Sequence, residues 1–388
     1  MDASDLRIAL FSGNYNYVRD GANQALNRLV GYLLRQGAQV RVYAPIVDNP
    51  AFPATGEMRH LRSVSIPRRR EYRIPIGLGS AVKKDLEEFQ PNIVHISSPD
   101  VAAHRAVTWA RKRSIATVAS VHTRFETYLS YYHIEFLEPA LRSWIRRLYR
   151  RCDALLVPAE STAAVLRAQH MSKNIHIWSR GVDREQFNPE RHDMEWRRSL
   201  GIADNELAVV FLGRLVLEKG LEDFASALDV LHQRGVPHHA LVIGKGPARD
   251  WFQERMPQGV FVGHVIGDEL GHALASGDVF LNPSVTEAFG NVTQEAMACG
   301  LPVIAAEATG TTSLIQHNVN GMLVDPGDIE GYADALQAYC TDPELRRRHG
   351  EAGLAYAKKR DWDTINSVVL DVYRKTIARR ERLARLGH

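Results

Sequence analysis

Cysteine is scarce in this chain, and its few positions exclude two kinds of stabilising framework. The 388 residues include three cysteines, Cys152, Cys299 and Cys340, and no C-x-x-C pair. An odd number of widely spaced cysteines does not form a disulfide framework, and the usual spacing of zinc ligands is missing. We therefore expect a reduced, cytoplasmic protein that has neither kind of cross-link.

Long hydrophobic runs and nucleotide-binding glycine signatures are also missing. No run approaches the roughly 18 apolar residues of a membrane-spanning helix, and the start, MDASDLRIALFS, lacks the regions of a secretory signal. No Walker sequence is present, and Gly244-x-Gly246 lacks the third glycine of a dinucleotide fingerprint. These absences argue against a membrane-spanning protein, a P-loop NTPase and a nicotinamide-dependent dehydrogenase.

Charge is nearly balanced overall but unevenly distributed. The net charge is +3, yet residues 1–180 carry 26 basic against 15 acidic residues (+11), and residues 181–388 carry 22 against 30 (−8). The basic part contains RRREYR (68–73) and RSWIRRLYRR (142–151). Such stretches can meet the phosphates of a membrane surface or of nucleic acid, and they can equally be solvated helix faces and loops.

What the chain does contain is a repeated alternation of apolar strands and amphipathic helices. The predicted strands are LRIALFS (6–12), AQVRVYA (38–44), NIVHIS (92–97), ATVASV (116–121), ALLVPA (154–159), NIHIW (174–178), LAVVFLG (207–213), HALVIG (239–244), GVFVG (259–263), DVFLNPS (278–284) and LPVIAA (301–306). The predicted helices in the first half span roughly 22–36, 80–89, 100–113, 126–150 and 160–170. Buried strands that alternate with helices indicate parallel sheets covered on both faces.

A polar segment without strands, residues 179–206, interrupts this alternation. The sequence therefore predicts an α/β protein of two Rossmann-like, doubly wound domains that face a central cleft. The predicted parts are a first domain (1–180) that binds the acceptor, a connector (181–205), a second domain (206–360) and a C-terminal helix (361–388) that packs back on the first domain. Ligands of such sheets bind beyond the carboxyl ends of the strands.

The segment TEAFGNVTQEAMACG (286–300) carries two glutamates eight residues apart. Glu287 follows a predicted strand, and a turn at Gly290 leads into a helix whose first N–H groups form a natural anion site. Glu295 lies inside that helix and can accept hydrogen bonds from sugar hydroxyls. The plainer alternative is that Glu287 resembles a helix cap and that Glu295 is an ordinary surface residue.

A second loop, in FLGRLVLEKGLED (211–223), follows the first strand of the second domain. Arg214 comes directly after this strand, and Lys219 precedes Gly220 at the start of a helix. Fixed positive charge beside a helix N-terminus is what a departing diphosphate requires. Solvent-exposed side chains without a ligand are the alternative interpretation.

Together these segments resemble glycosyltransferase family 4, whose members are retaining enzymes of the GT-B fold, and especially its lipid-directed α-mannosyl, glucuronosyl and sulfoquinovosyl transferases. Besides the two loops above, the resemblance rests on WSRGVDREQFNPE (178–190), LVIGKGPARD (241–250), FVGHVIGDEL (261–270), MACGLPVIAA (297–306) and NGMLVDPGD (320–328). It extends over nearly the whole chain. A retaining hexosyltransferase that uses a UDP- or GDP-sugar is therefore expected.

The resemblance implies a role for each matching position. Glu287 is expected to hold the transferred sugar, Glu295 the ribose, and backbone near Val265 the base. The residues expected around the donor diphosphate are Gly21, Arg214, Lys219, Phe289, Gly290, Asn291 and Val292. His122, in VHTRF (121–125), matches the family's histidine near the reacting sugar. Glu287, His122, Arg214 and Lys219 are thus the predicted catalytic residues.

Two departures from the family pattern concern the acceptor. The first loop has Arg19-Asp20-Gly21 where many relatives have paired glycines or Asn-Gly, and the connector has Arg180 where others have Asn. Asp20 is therefore a candidate acceptor contact, and Arg180 a candidate partner of an anionic group on donor or acceptor. Arg68, Arg69 and Arg70, expected in one loop, are candidates for binding anionic lipid, together with the amphipathic stretch that carries Trp144 and Tyr149.

The implied reaction is a front-face transfer in which the leaving diphosphate takes the acceptor's proton. No metal or other cofactor is expected. Asp361-Trp362-Asp363 spells D-x-D, a metal motif of another glycosyltransferase fold, but it opens the last predicted helix and is interpreted as a cap.

The expected acceptor is a membrane lipid or lipid-linked sugar, which places a peripheral enzyme on the inner face of the membrane. Three alternatives remain open: a soluble transferase acting on a polysaccharide or small molecule, a nucleotide-sugar epimerase on the same scaffold, and a nucleic-acid-binding protein. Against the last, the basic residues are not interleaved with a series of stacking aromatics, so nucleic acid is not an expected partner.

Overall fold

The computed structural model describes residues 1–18, 21–66, 69–122, 135–287 and 289–386, with side chains for all of these except 66, 69–72 and 135. It divides into two compact units. Unit 1 comprises Met1–Ser179 and Asp363–His388, and unit 2 comprises Arg180–Trp362. Each unit is an α/β domain built on one parallel sheet, so the predicted pair of Rossmann-like domains is confirmed.

Unit 1 contains a seven-stranded parallel sheet in the order β3-β2-β1-β6-β7-β8-β9. Its sheet strands are β1 (Arg7–Phe11), β2 (Gln39–Ala44), β3 (Glu57–His60), β6 (Ile93–Ile96), β7 (Ala116–Ser120), β8 (Ala154–Val157) and β9 (Ile175–Ile177). Its helices are α1 (Gly21–Arg35), α2 (Ser80–Phe89), α3 (Val101–Arg111), α4 (Glu138–Tyr149), α5 (Glu160–Ala168) and, from Asp363 onward, α13 (Trp362–Arg385). The strands β6, β7 and β8 are buried at every position, as strands covered on both faces must be.

A two-stranded antiparallel hairpin, β4 (Ser63–Ile66) and β5 (Arg69–Pro75), stands apart from this sheet. Arg69 and Arg70 therefore lie in a strand, which corrects the expectation that they share a loop with Arg68. Their side chains, and all of Arg68, lie outside the described residues. The sequence does not predict this hairpin, because its strands are charged and lack a clear apolar alternation.

The C-terminal helix α13 packs on unit 1, as predicted. The guanidinium of Arg380, a residue of α13, donates to both carboxylate oxygens of Asp153 at 3.0 Å each. Asp153 also accepts from the backbone N–H of Thr117. Val369, Leu370 and Tyr373 are among the apolar side chains that α13 buries. The bidentate Arg380–Asp153 ion pair and this apolar face hold α13 against unit 1.

Unit 2 contains a six-stranded parallel sheet in the order β12-β11-β10-β13-β14-β15. Its strands are β10 (Leu207–Leu212), β11 (His238–Ile243), β12 (Val260–Gly263), β13 (Val279–Asn282), β14 (Val303–Ala306) and β15 (Met322–Val324). Its helices are α6 (Met194–Ser199), α7 (Leu221–Gln233), α8 (Arg249–Arg255), α9 (Asp268–Ala275), α10 (Asn291–Ala298), α11 (Ile329–Thr341) and α12 (Pro343–Lys358). Edge-to-face contacts among Phe211, Phe224 and Phe252 stand at the centre of its core.

All eleven predicted strands are present, each shifted at its ends by at most a few residues. The segment 181–205 lies within unit 2, where it contributes α6. The helix expected over 126–150 is shorter: a 3-10 turn at Glu135–Leu137 precedes α4, and residues 123–134 lie outside the described part of the chain. In the described residues, no helix is long and apolar enough to cross a membrane.

Candidate functional site

Two loops at the carboxyl edge of the unit 2 sheet meet through Lys219 and Glu287. The ammonium nitrogen of Lys219 lies 2.6 Å from Oε1 of Glu287, and both side chains are half-buried. Lys219 ends a 3-10 turn after β10, and Glu287 follows β13, the neighbouring strand. Neighbouring parallel strands end at the same edge, which is why residues 68 positions apart can form an ion pair.

Polar contacts along the β13 loop fix the position of Glu287. The hydroxyl of Thr286 lies 3.2 Å from that of Ser284 and donates to the carbonyl oxygen of Glu218 at 3.4 Å. Asn282 accepts from the Ser284 N–H at 3.2 Å and donates to the Thr293 hydroxyl at 3.0 Å. The loop is thus joined to both the Lys219 loop and the helix α10.

The helix α10 begins at a glycine turn, as the sequence predicts. Gly290 is its N-terminal cap residue and has a φ of +90°, a left-handed conformation that side chains with a Cβ seldom adopt. No side chain caps the helix at this residue. The first N–H groups of a helix have no intrahelical partner, and in α10 these begin at Asn291 and Val292, both half-buried. The Phe289 ring is buried, so its side chain is not available to a ligand.

Gly310 lies against the backbone and Cβ of Glu287, a contact that the sequence does not predict. A Cβ at Gly310 would lie 2.5 Å from the Glu287 carbonyl oxygen and 2.9 Å from the Glu287 Cβ. These distances are shorter than any real side chain tolerates, so the turn after β14 can approach the glutamate only as glycine. The local sequence ATGTT (308–312) suggests a turn but does not show what the turn contacts.

Arg180 and Glu295 are both associated with α10. The side-chain amide of Gln294 donates to the Arg180 carbonyl oxygen at 2.9 Å, so Arg180 lies beside the helix that carries Glu295. The Arg180 side chain is buried, and burial lowers the pKa of its guanidinium to about 10. Glu295 is half-buried.

Two further predicted donor residues lie in the loops after β10 and β12. Arg214 follows β10 directly, is exposed, and forms no ion pair within the described residues. Val265 is half-buried in the loop that follows β12, between exposed neighbours. Both lie beyond carboxyl ends of strands, at the same edge of the sheet as Lys219 and Glu287.

In unit 1, His122 follows β7 and is half-buried. Its Nε2 lies 2.8 Å from the Ser120 hydroxyl, which lies 2.8 Å from Nε2 of His95. The Trp178 ring meets the His122 ring edge-on, with centroids 5.5 Å apart. The sequence predicts His122 as a site residue but not these contacts, because His95 and Trp178 come from other parts of unit 1 and nothing local shows that they meet Ser120 and His122.

Gly21, which the sequence predicts in the first loop, is the first residue of α1, and Asp20 lies outside the described residues. The D-x-D sequence opens α13, where Asp363 pairs with Arg35 at 2.6 Å rather than standing near a strand edge. Across the described part of the chain, no three His, Cys, Asp or Glu residues are grouped as a metal site.

Two family models match complementary parts of the chain. The model described as Glycosyltransferase Family 4 matches residues 19–186, and the one described as Glycosyl transferases group 1 matches residues 206–342. The second match contains both loops of the Lys219–Glu287 pair, and the first contains His122.

Whole-chain relatives agree with these matches. A sulfoquinovosyl transferase of Arabidopsis thaliana is 34% identical over 92% of this chain and 71% of its own length. A GDP-mannose-dependent alpha-mannosyltransferase of Mycolicibacterium smegmatis is 31% identical over 97% of this chain and 99% of its own. Among solved structures, a sucrose-phosphate synthase from Thermosynechococcus elongatus superimposes with a TM-score of 0.76 at 20% identity, over 96% of this chain and 99% of that one, which supports the GT-B fold. This chain belongs to glycosyltransferase family 4.

Proposed function

We propose that this protein transfers a hexose or hexuronic acid from a UDP- or GDP-sugar to a membrane lipid or lipid-linked acceptor, with retention of configuration and without a metal. The observation that carries the donor assignment is the Lys219–Glu287 pair beside the glycine-capped start of α10. The names of the relatives support a sugar nucleotide, since one is GDP-mannose-dependent. The sulfoquinovosyl transferase supports an acidic sugar as the other possibility.

In the proposed reaction, Lys219 and the N–H groups of α10 hold the diphosphate. The bond between the anomeric carbon and the diphosphate oxygen breaks, and the acceptor oxygen bonds to the same face of that carbon. The acceptor's proton moves to the leaving diphosphate oxygen. Positive charge fixed where negative charge develops stabilises this transition state, and Arg214, exposed and without an ion pair among the described residues, can add to that charge.

The ion pair gives Lys219 and Glu287 linked roles. Without donor, each neutralises the other at 2.6 Å in a half-buried position. When the diphosphate binds Lys219, the Glu287 carboxylate becomes available to accept hydrogen bonds from the sugar hydroxyls. Binding of the donor would thus replace the Lys219–Glu287 pair by a Lys219–diphosphate pair and by hydrogen bonds from the sugar to Glu287. Neither side chain would then be left buried without a partner.

Arg180 is our candidate for binding an acidic group of the donor sugar or of the acceptor. A guanidinium can bind an anionic group through two parallel hydrogen bonds, and Arg180 lies beside the helix that we assign to the donor. We expect Arg180→Lys to weaken transfer from an acidic donor such as UDP-glucuronic acid more than transfer from UDP-glucose, because a lysine lacks the planar, forked donor geometry. An equal loss with both donors would exclude this role.

A lipid acceptor is supported by the surface of unit 1. Its exposed apolar side chains include Val64, Ile74 and Ile76 at the hairpin and Phe136, Leu137 and Trp144 at α4. Phe136 is 76% exposed, and α4 also carries Arg142, Arg146 and Arg147. Basic residues combined with exposed aromatic side chains are typical of a helix that lies on an anionic bilayer. Tyr149, expected on this surface, is instead buried in the core.

The donor assignment is tested by thermal-shift titration with UDP, GDP, ADP and their sugar conjugates. A ligand that binds the native state raises the melting temperature. We expect one nucleoside diphosphate to do so, and we expect Glu295→Ala to weaken its effect. The absence of a shift with every one of them would refute the donor assignment.

The membrane assignment is tested by flotation with vesicles of phosphatidylglycerol and phosphatidylcholine, compared with phosphatidylcholine alone. We expect binding only to the anionic vesicles, and a loss of binding with Phe136→Ser. Val319, an exposed apolar residue of unit 2, provides the matched control Val319→Ser. Equal losses with both variants, or no binding at all, would favour the alternative of a soluble acceptor.

A further inference from the structure

A buried series of hydrogen bonds leads from the C-terminal helix to His122. The Tyr373 hydroxyl of α13 lies 2.5 Å from Nδ1 of His95 in β6. Nε2 of His95 lies 2.8 Å from the Ser120 hydroxyl of β7, and that hydroxyl lies 2.8 Å from Nε2 of His122. All four groups belong to unit 1.

The interior members of this series are removed from water. Tyr373 and His95 have no exposed surface, and Ser120 is 2% exposed. The buried Trp178 ring meets both imidazoles edge-on and donates its N–H to Asn366 of α13 at 3.1 Å. Packing therefore holds the rings of both histidines in place, and no solvent competes for the inner hydrogen bonds.

The direction of these hydrogen bonds follows from counting donors and acceptors. Burial lowers the pKa of His95 to about 3, so its ring is neutral and has one N–H. Among the described residues, Tyr373 hydrogen-bonds through its hydroxyl only to His95. If His95 donated to Tyr373, the hydrogen of the phenol would be buried without an acceptor, which costs the full desolvation of that group. Tyr373 therefore donates to His95.

The remaining directions are then determined. With Nδ1 of His95 accepting, its Nε2 carries the hydrogen and donates to the Ser120 oxygen. The Ser120 hydroxyl has His122 as its other partner within the described residues, so it donates to Nε2 of His122. An imidazole nitrogen that accepts carries no hydrogen, and the hydrogen of a neutral His122 must be on Nδ1.

We propose that Tyr373, His95 and Ser120 are positioning residues that hold His122 as its neutral Nδ1–H tautomer. Nε2 of His122 then cannot act as a base, since it accepts from the Ser120 hydroxyl. If the proposed function is right, His122 in this tautomer does not remove the acceptor's proton. That agrees with a reaction in which the leaving diphosphate takes the proton.

The tautomer can be measured without any substrate. Full-length protein labelled with ¹⁵N-histidine gives long-range ¹H–¹⁵N spectra in which protonated and unprotonated ring nitrogens are well separated, and His122→Gln identifies the signals of His122. We expect the hydrogen on Nδ1 in the wild type. We expect Ser120→Ala to give a mixture that includes the Nε2–H form, and Tyr373→Phe to give a smaller change in the same direction. A wild-type His122 with its hydrogen on Nε2 would overturn the proposal.

Unit 2 offers a matched control. The Tyr339 hydroxyl lies 2.8 Å from Nδ1 of His349, in a second buried tyrosine–histidine pair. Tyr339→Phe removes the same kind of hydrogen bond, but Tyr339 belongs to unit 2 and is not a member of the series that ends at His122. We expect it to leave the His122 signals unchanged. A change equal to that of Tyr373→Phe would show a general loosening of the protein and would count against the proposal.

A kinetic measurement separates this inference from the proposed function. With GDP-mannose or UDP-glucose as donor, whichever the thermal shift selects, we expect Ser120→Ala to lower kcat by about tenfold with little change in the donor KM. Wild-type kcat in a variant with an altered tautomer would overturn the role of the tautomer in transfer. If no nucleoside diphosphate binds, the proposed function fails, while the spectra still decide the tautomer.

Discussion

The two units position their candidate groups by different physical means. In unit 2, the ends of neighbouring strands and a glycine-capped helix position the candidate groups, and two side chains of adjacent loops form an ion pair. In unit 1, buried side chains position the candidate histidine, and Tyr373 contacts His95 across 278 positions of sequence. Local backbone features leave a pattern in the sequence, whereas a series of side chains from separate strands does not.

The units also differ in charge. The sequence up to residue 180 carries +11 and the remainder −8. The more acidic unit nevertheless contains Arg214 and Lys219 at the edge of its sheet, where we propose that the diphosphate binds. In this proposal, the placement of a few cations, rather than the net charge, determines where the anionic donor binds.

The largest effect is expected at the ion pair of unit 2. We expect Lys219→Ala to lower the transfer rate by about 10²–10³-fold, because it removes a cation that stabilises the leaving diphosphate. The thermal shift with the selected nucleoside diphosphate should also decrease. Glu287→Gln should lower the rate while retaining that shift, since it frees Lys219 for the phosphates.

The control for this pair is Arg198→Ala, which breaks an exposed ion pair with Asp204 in the same unit, 2.7 Å long. An exposed pair contributes little to stability, so its loss should leave transfer unchanged. Wild-type transfer by Lys219→Ala would refute a site built on the unit 2 loops.

The second prediction concerns how the stability of unit 1 depends on pH through the carboxyl group of Asp100. Asp100 caps α3, accepting from the Ala103 N–H at 2.8 Å, and burial raises the pKa of its carboxyl to about 6. The folded state therefore binds this proton more tightly than the unfolded chain, whose aspartate has a pKa of about 3.9. The stabilisation is complete below pH ~4 and is lost as pH rises through ~6, by at most about 3 kcal/mol.

Asp100→Asn keeps a capping oxygen and has no carboxyl to titrate. We expect its melting temperature, relative to the wild type, to rise between pH 4 and 7. Asp328→Asn changes the corresponding cap of α11 in unit 2, which accepts from the Gly331 N–H at 3.0 Å in an exposed setting. Parallel pH profiles for Asp100→Asn and the wild type would contradict the prediction.

The third prediction concerns the support of Glu287. Gly310→Ala places a methyl group 2.5 Å from the Glu287 carbonyl oxygen, so one of the two backbones must move. We expect a loss of about 1–3 kcal/mol of stability and a transfer rate lowered by roughly tenfold through displacement of Glu287. Gly79→Ala, where no atom lies within 4 Å, is the control. Full activity of Gly310→Ala would show that Glu287 tolerates displacement.

Much of the fold was predictable because buried parallel strands are continuous apolar runs, such as IVHI in β6 and ALLV in β8. The short edge strands β3 and β15 and the charged hairpin β4–β5 lack that pattern and were missed. The Lys219 and Glu287 loops were predicted because each directly follows a strand. Gly310 and Tyr373 were not, because nothing in their local sequence shows the atoms that they contact.

The smallest effect is expected at Asp363, at the start of α13. Its pair with Arg35 is 2.6 Å long, but both side chains are 59% exposed, so Asp363→Ala should cost less than about 1 kcal/mol. We also expect wild-type transfer rates, with and without EDTA, because our proposal gives this D-x-D sequence a role in the helix start only. The measurement also sharpens the comparison of the units. It tests whether unit 1 depends on its buried hydrogen-bond series rather than on an exposed ion pair such as Arg35–Asp363. Loss of transfer in Asp363→Ala, rescued by added Mg²⁺ or Mn²⁺, would instead make this residue a metal ligand and would refute the metal-independent reaction.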